Sequence, residues 1–114
     1  MQLYNASNKS VISSQVLTAH SFFARLKGLL GRDGLDKDTC MVIYPCNSVH
    51  TCFMKFAIDV IFLDRSHKVL KVMADIKPFK ASPIVGRAYY VVEMASRPNI
   101  KDIIHEGDQL EIRS

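Results

Sequence analysis

The chain has 114 residues, and its 48% hydrophobic and 23% charged side chains are typical of a single globular domain, which excludes a disordered or low-complexity chain. Its formal net charge of +4 and pI of about 9.1 permit an anionic partner. The Lys and Arg side chains are nevertheless scattered without a basic run, so we do not expect nucleic acid as a partner. We expect one domain spanning residues 1–114.

The start of the chain, MQLYNASNKS, is polar and lacks the apolar core of a signal peptide. No apolar stretch approaches the ~20 residues that cross a membrane as a helix. Cys40, Cys46 and Cys52 make an odd count, which together with the missing signal favours reduced thiols. We therefore expect a cytoplasmic protein without a membrane partner.

The first third of the chain predicts short strands and then a helix. Residues 11–17 alternate loosely between apolar and polar, which is typical of one or two strands. Residues 21–30 then change to helical spacing and carry one apolar stripe. Ser21 is a suitable N-cap, and glycines at 31 and 34 are stop signals.

The remainder of the chain is rich in β-branched and aromatic residues, which favour strands. We predict strands over 40–44, 49–54, 58–63, 69–76, 88–95 and 109–113. A polar connection at 64–68 makes 58–63 and 69–76 a hairpin, and 77–86 is a loop with two prolines. A short helix is predicted over about 98–104, because Pro98 suits a helix start.

These elements predict a mostly β fold: a small β-barrel or a compact β-sandwich. One α-helix, at about 21–30, would pack on it, with the short second helix near the end. No strand–helix–strand regularity indicates a parallel α/β sheet.

Polar residues inside apolar strands are the candidates for a site. Asp59 interrupts IDVIFL, Glu93 lies in AYYVVEMA, and His50 and Thr51 lie in VHTCFM. A buried carboxylate costs several kcal/mol unless it is paired or hydrogen-bonded. These residues either satisfy each other and the backbone as part of the core, or converge on a pocket, where buried titratable groups are common.

A metal or a nucleophile would leave a different pattern. Cys46, His50, Cys52 and Met54 offer soft ligands, and we assign the last three to one face of a predicted strand. Neighbouring residues on one strand rarely complete a tetrahedron, and no paired C-x-x-C is present. We therefore expect no metal and no cofactor, and the closeness of Cys46 to His50 along the chain is not triad geometry.

Several segments in order resemble the domain-of-unknown-function 192 family of uncharacterised prokaryotic proteins. They are ARLKGLLGR at 24–32, HTCFM at 50–54, IDVIFLD at 58–64 with VLKV, YVVE at 90–93 and EGD at 106–108. The resemblance implies a mostly β, barrel-like domain with one packed helix and no established activity. The polar positions it implies as recurrent are Arg25, His50, Thr51, Asp59, Asp64, Glu93 and Asp108.

Three functions stay open on the sequence. The leading hypothesis is a binding or accessory module, whose barrel end would receive a small polar ligand or a peptide. Arg25, His50, Thr51 and Asp59 would line that end, with the 77–86 loop at its border and Glu93 as a further candidate. The alternatives are a hydrolase or isomerase with Asp59 or Glu93 as general base beside His50, and a nucleic-acid-binding barrel that stacks bases on Tyr89 and Tyr90.

Overall fold

A computed structural model describes residues 1–19, 34–52 and 54–114 of the chain, and it confirms the mostly β prediction. Eight strands and one helix lie in these ranges. They are β1 (Gln2–Asn5), β2 (Ser10–Ser13), β3 (Gln15–Ala19), β4 (Thr39–Ile43), β5 (Ile58–Leu63), β6 (Val69–Ile76), β7 (Tyr90–Ala95), α1 (Ile100–Ile103) and β8 (Leu110–Arg113).

The strands form two sheets, which corrects the barrel option of the predicted fold. The smaller sheet has the order β2-β1-β8, and the larger has the order β3-β4-β7-β5-β6. No ladder joins them into a closed barrel within the described ranges. Neighbours are antiparallel except β3 and β4, which pair in parallel and therefore need the long connection that residues 20–38 supply.

Strands β5 and β7 lie in the interior of the larger sheet, and both of their faces are covered. All six residues of β5 are buried, in agreement with its nearly continuous apolar sequence. Strand β6 returns beside β5 as the predicted hairpin. The turn between them is held by Asp64, whose Oδ1 accepts the N–H groups of Ser66 at 2.8 Å and Lys68 at 3.1 Å.

The two faces of the larger sheet belong to two separate cores. Ile61 and Leu63 pack with Leu3, Ile12 and other residues of the smaller sheet. Their neighbours in β5 point the other way and pack under connecting segments of the chain. This alternation is expected of a β-strand, whose successive side chains point to opposite faces of the sheet.

Two of the predicted elements differ from those in the structure, and a third predicted element lies outside the described residues. Residues 49–54 do not form a strand: His50 makes an isolated bridge to Ala81, and the chain turns where the N–H of Met54 donates to the carbonyl of Thr51 at 3.2 Å. The second helix is confirmed but shorter than 98–104, because Ile104 at φ −134° is already extended. The helix predicted at 21–30 lies outside the described residues.

Strand β1 was not predicted, because four residues of mixed polarity do not show a β pattern. It takes the central place of the smaller sheet through its pairing with β8, in which Leu3 lies opposite Ile112. No helix in the described ranges has the length and apolar character that a membrane crossing needs.

Candidate functional site

Asp59 and Glu93, the two carboxylates predicted to be buried, are both inaccessible to solvent. They face opposite sides of the larger sheet. Asp59 pairs with Met94, which belongs to the core shared with the smaller sheet, whereas Glu93 pairs with Val60 of the other core. The two carboxylates therefore do not share one cavity.

The Asp59 carboxylate binds the backbone at two places that are distant in sequence. Its Oδ1 accepts the N–H of Asp75 at 2.8 Å, and its Oδ2 accepts the N–H of Arg97 at 3.0 Å. Asp75 has φ +54° and lies where the β5–β6 register shifts, so the bond holds a β-bulge. Burial raises the pKa of Asp59 above its ordinary value, although these two N–H groups and the Arg97 charge act against that rise.

Arg97 extends the same connection to the smaller sheet. Its guanidinium donates to the carbonyl of Lys37 at 2.8 Å and to that of Ile12, in β2, at 3.4 Å. Asp59 thus fixes the backbone of a residue whose side chain ties the two sheets together. These contacts support the structural interpretation of Asp59.

Thr51 is buried and holds the turn of the 77–86 loop. Its Oγ1 donates to the carbonyl of Lys77 at 2.6 Å and accepts the N–H of Lys80 at 2.9 Å. Its backbone N–H donates to the Lys80 carbonyl at 2.8 Å, and its own carbonyl accepts the N–H of Phe79 at 3.1 Å. Phe79 has φ +62°, a conformation that a bulky residue keeps only where neighbours hold it.

His50 lies beside this turn, where two irregular segments run antiparallel. The N–H of Val85 donates to the carbonyl of Asn47, and the N–H of Ser82 donates to the carbonyl of Val49, each at 2.9 Å. The hydroxyl of Ser82 also accepts the N–H of Val49 at 3.0 Å. These bonds, with the His50–Ala81 bridge, keep the two segments at a fixed distance.

Between these segments lies an open cleft of about 410 Å³, which we call the His50 cleft. Its walls are residues 45–50 and 81–82, which include the polar side chains of Asn47, Ser48 and Ser82 beside His50. The Nδ1 of His50 accepts the N–H of Cys52 at 3.3 Å, so the proton of the neutral ring is placed on Nε2. The Cys46 thiol, at the other end of the segment, donates to the carbonyl of Ser48 at 3.1 Å.

The residues predicted to form one site therefore lie in different parts of the structure. His50 lines the cleft, Thr51 secures the adjoining loop, and Asp59 lies in the core on the other side of the sheet from Glu93. Arg25 lies outside the described residues. Asn47, Ser48 and Ser82 were not predicted as lining residues; the one signal for them in sequence is a run of small polar residues after Pro45.

The general-base alternative is weakened by this arrangement. A base must reach the proton that it abstracts at about 2.6–3.2 Å. Asp59 and Glu93 are both fully buried, and only His50 of the three lines the cleft.

The nucleic-acid alternative depended on Tyr89 and Tyr90 as stacking surfaces. Tyr90 is 5% exposed, and its hydroxyl lies 2.8 Å from Nδ1 of His67. The ring of Tyr89 is covered on one face by the guanidinium of Arg65, whose Cζ lies 4.4 Å from the ring centroid. The two rings therefore do not form an open surface along which successive bases of a nucleic-acid strand could stack.

The three cysteines differ in environment, and no disulfide joins them. His50, Cys52 and Met54 do not share a strand face, because that strand is not formed. No group of three His, Cys, Asp or Glu side chains within the described ranges has metal-binding geometry. Burial raises the pKa of the Cys40 thiol to about 11, although Ser13 and Arg97 act against that rise.

We expect the thiols to be alkylated at different rates. At pH 8, with a pKa of about 11, only about a thousandth of Cys40 is thiolate, and the side chain is also buried. Iodoacetamide should therefore modify the half-buried Cys46 and Cys52 in the folded protein, and Cys40 only after denaturation. Peptide mass spectrometry distinguishes the three sites, and rapid modification of Cys40 in the folded protein would contradict this prediction.

Comparisons with known proteins identify the fold but no activity. The model of the DUF192 family, described as "Uncharacterized ACR, COG1430", matches residues 3–112. No curated protein matches the chain. The structure resembles the crystal structure of a protein of unknown function from Novosphingobium aromaticivorans DSM 12444, with a TM-score of 0.78 and 20% identity over 97% of this chain and 82% of that one. It also resembles a putative transcription regulator from Sinorhizobium meliloti 1021, with a TM-score of 0.75 and 20% identity over 96% of this chain and 89% of that one.

Proposed function

We propose, from the premise that the chain belongs to the uncharacterised DUF192 family, that it is a binding module and that the His50 cleft receives a small polar ligand. The observation that carries this proposal is the wall of the cleft. One titratable imidazole and several small polar groups surround about 410 Å³, which is within the range of ligand pockets.

The rigidity of both walls supports binding at the cleft. Main-chain bonds join Asn47 to Val85 and Val49 to Ser82, and Thr51 anchors the loop below them. A ligand that enters such a cleft orders little additional chain, so less of its interaction energy is lost to conformational entropy. The site is thus built before the ligand arrives.

The same bonds favour a small ligand over an added peptide strand. A peptide that extends a sheet needs free N–H and C=O groups along one edge. Here the carbonyls of Asn47 and Val49, and the N–H of Val49, already bind residues 82–85. Side chains that line the cleft, such as Asn47 and Ser48 beside His50, would make the specific contacts.

The test is a thermal-shift screen with amino acids, hydroxy acids, sugars and N-acetylated tripeptides, followed by ¹H–¹⁵N NMR titration of every compound that raises Tm. We expect a small polar compound to shift the amide signals of residues 46–50 and 81–82. The variant His50→Ala should weaken its affinity by about tenfold, the usual size for loss of one central polar contact.

Two controls separate binding from folding. His105→Ala removes another imidazole, which is exposed and lies outside the cleft, and should leave the affinity unchanged. His50→Gln keeps an acceptor for the N–H of Cys52 and shows whether His50→Ala acts only by disturbing the turn. Equal affinity in wild type and both His50 variants, or no compound that shifts these amides, would overturn the proposal.

A further inference from the structure

A second concave site lies where the two sheets approach each other, and it shares no lining residue with the His50 cleft. It has a volume of about 360 Å³. Its walls include Tyr44, Tyr89 and Tyr90 from the larger sheet and the segments beside it, Ile112 from β8, and Arg65 and His67 from the β5–β6 turn. We call it the tyrosine pocket.

In the inner wall of the tyrosine pocket, Tyr90 and His67 hold each other in place. Tyr90 is held against His67 by the 2.8 Å contact between its hydroxyl and Nδ1, and the two rings meet edge to face with centroids 5.6 Å apart. Burial, and then the charge of Asp64, raise the pKa of the Tyr90 phenol, so it stays protonated at neutral pH. His67 has φ +67°, a strained conformation of the kind that occurs at functional sites.

The rim carries a cation that has no carboxylate partner among the described residues. The Arg65 guanidinium lies over the ring of Tyr89, with Cζ 4.4 Å from the ring centroid. Arg113, which lies on Tyr4 in the same way, pairs instead with Glu111 at 3.0 Å. The Oδ1 of Asp64, next to Arg65 in the chain, accepts the N–H groups of Ser66 and Lys68, and Asp64 forms no ion pair with Arg65 within the described residues.

No described residue that lines the tyrosine pocket is acidic. Aromatic walls favour a planar ring, which stacks in offset or edge-to-face geometry. A stacked guanidinium keeps its N–H donors at its edge, where they match the two oxygens of a carboxylate. We propose that the tyrosine pocket binds a small aromatic carboxylate, with the ring among the tyrosines and the carboxylate on Arg65.

The test is an NMR titration of the ¹⁵N-labelled protein with benzoate, with benzamide as the neutral probe of equal shape. We expect benzoate at millimolar concentration to shift the amide signals of Thr18, His67 and Ile112, which line the pocket. Benzamide should bind about tenfold more weakly, because it lacks the charge that Arg65 recognises.

Arg65→Gln should reduce the benzoate affinity by about tenfold and bring it to the benzamide value. Arg113→Gln, which removes the other arginine stacked on a tyrosine, should leave the affinity unchanged. The proposal is overturned if benzoate produces no shifts at these residues, if benzamide binds equally well, or if Arg65→Gln has no effect. Shifts confined to residues 46–50 and 81–82 would assign benzoate to the His50 cleft and also overturn it.

Discussion

Replacing Asp59 with alanine should lower the free energy of unfolding by about 3–5 kcal/mol, the range for removing one partner of a buried charged interaction. The change removes the acceptor of two part-buried N–H groups, those of Asp75 and Arg97, and each such loss costs about 1–3 kcal/mol. A domain of this size is stable by only about 5–15 kcal/mol. Urea denaturation followed by circular dichroism measures the loss.

Two further variants locate the cause of that loss. Asp59→Asn keeps one oxygen acceptor but turns an NH₂ group toward the other N–H, so its cost should be about half as large. Asp102→Ala, at an exposed position of α1, should change stability by less than about 0.5 kcal/mol. If Asp59→Ala is as stable as Asp102→Ala, the carboxylate does not hold the bulge.

The difference in stability between wild type and Asp59→Asn should depend on pH, and the raised pKa of Asp59 sets the direction of that dependence. The pKa of Asp59 is raised in the folded protein, so the folded state holds this proton more tightly than the unfolded state. The stability advantage of wild type over Asp59→Asn should therefore be largest below the ordinary aspartate pKa and should decrease as pH rises through the raised value. Asp38, whose pKa is lowered, is present in both proteins and cancels, whereas the charge of Asp75 contributes to the raised pKa of Asp59.

Thr51→Val should cost about 2 kcal/mol and loosen the 77–86 loop. Valine has nearly the same shape, but it leaves the carbonyl of Lys77 and the N–H of Lys80 without the hydroxyl that joins them. Hydrogen exchange at the amides of Phe79 and Lys80 should become faster than in wild type, while exchange in β5 should change only by the global loss of stability.

The matched variant is Thr51→Ser, which keeps the hydroxyl and loses only a methyl group. It should retain slow exchange at Phe79 and Lys80. If Thr51→Ser and Thr51→Val loosen the loop equally, packing of the methyl group holds the turn and the hydroxyl does not. The 77–86 loop also forms one wall of the His50 cleft, so Thr51→Val should weaken the binding of any ligand found there.

Asp59 and Thr51 show how much of the structure can be predicted from the sequence. Both faces of IDVIFL are apolar apart from Asp59, which predicts a partly buried carboxylate, and in the structure Asp59 is fully buried. Its partners lie 16 and 38 residues away and are backbone N–H groups, for which a sequence carries no distinguishing pattern. The sequence therefore predicts the need of this carboxylate for partners but not their identity.

For Thr51, in contrast, the sequence predicts the wrong local structure. Its β-branched side chain, among similar neighbours, predicts a strand over 49–54, and the prediction is wrong. The hydroxyl instead binds backbone 26 and 29 residues further along, and such side-chain bonds compete with a regular ladder. The His50 cleft was missed in part for the same reason, since its walls are irregular segments brought together by tertiary bonds.

The structure shows what several of the polar positions implied by the family resemblance bind. Asp64 holds the β5–β6 turn, and Asp108 accepts the N–H of His105 at 2.9 Å and the amide of Asn5 at 2.8 Å. With Asp59 and Thr51, these side chains bind backbone at bulges and turns. These contacts give each of the four side chains a role in holding the fold, and His50 is the described member of that set that lines the His50 cleft.

The pairing of β1 with β8 has a consequence for biosynthesis. Leu3 leaves the ribosome before its strand partner Ile112, which emerges about a hundred residues later. The smaller sheet is therefore completed only after the residues between these two strands have been translated, and until then β1 lacks one of its two strand partners. Contacts so far apart in sequence slow folding, which makes the nascent chain the form most in need of chaperones.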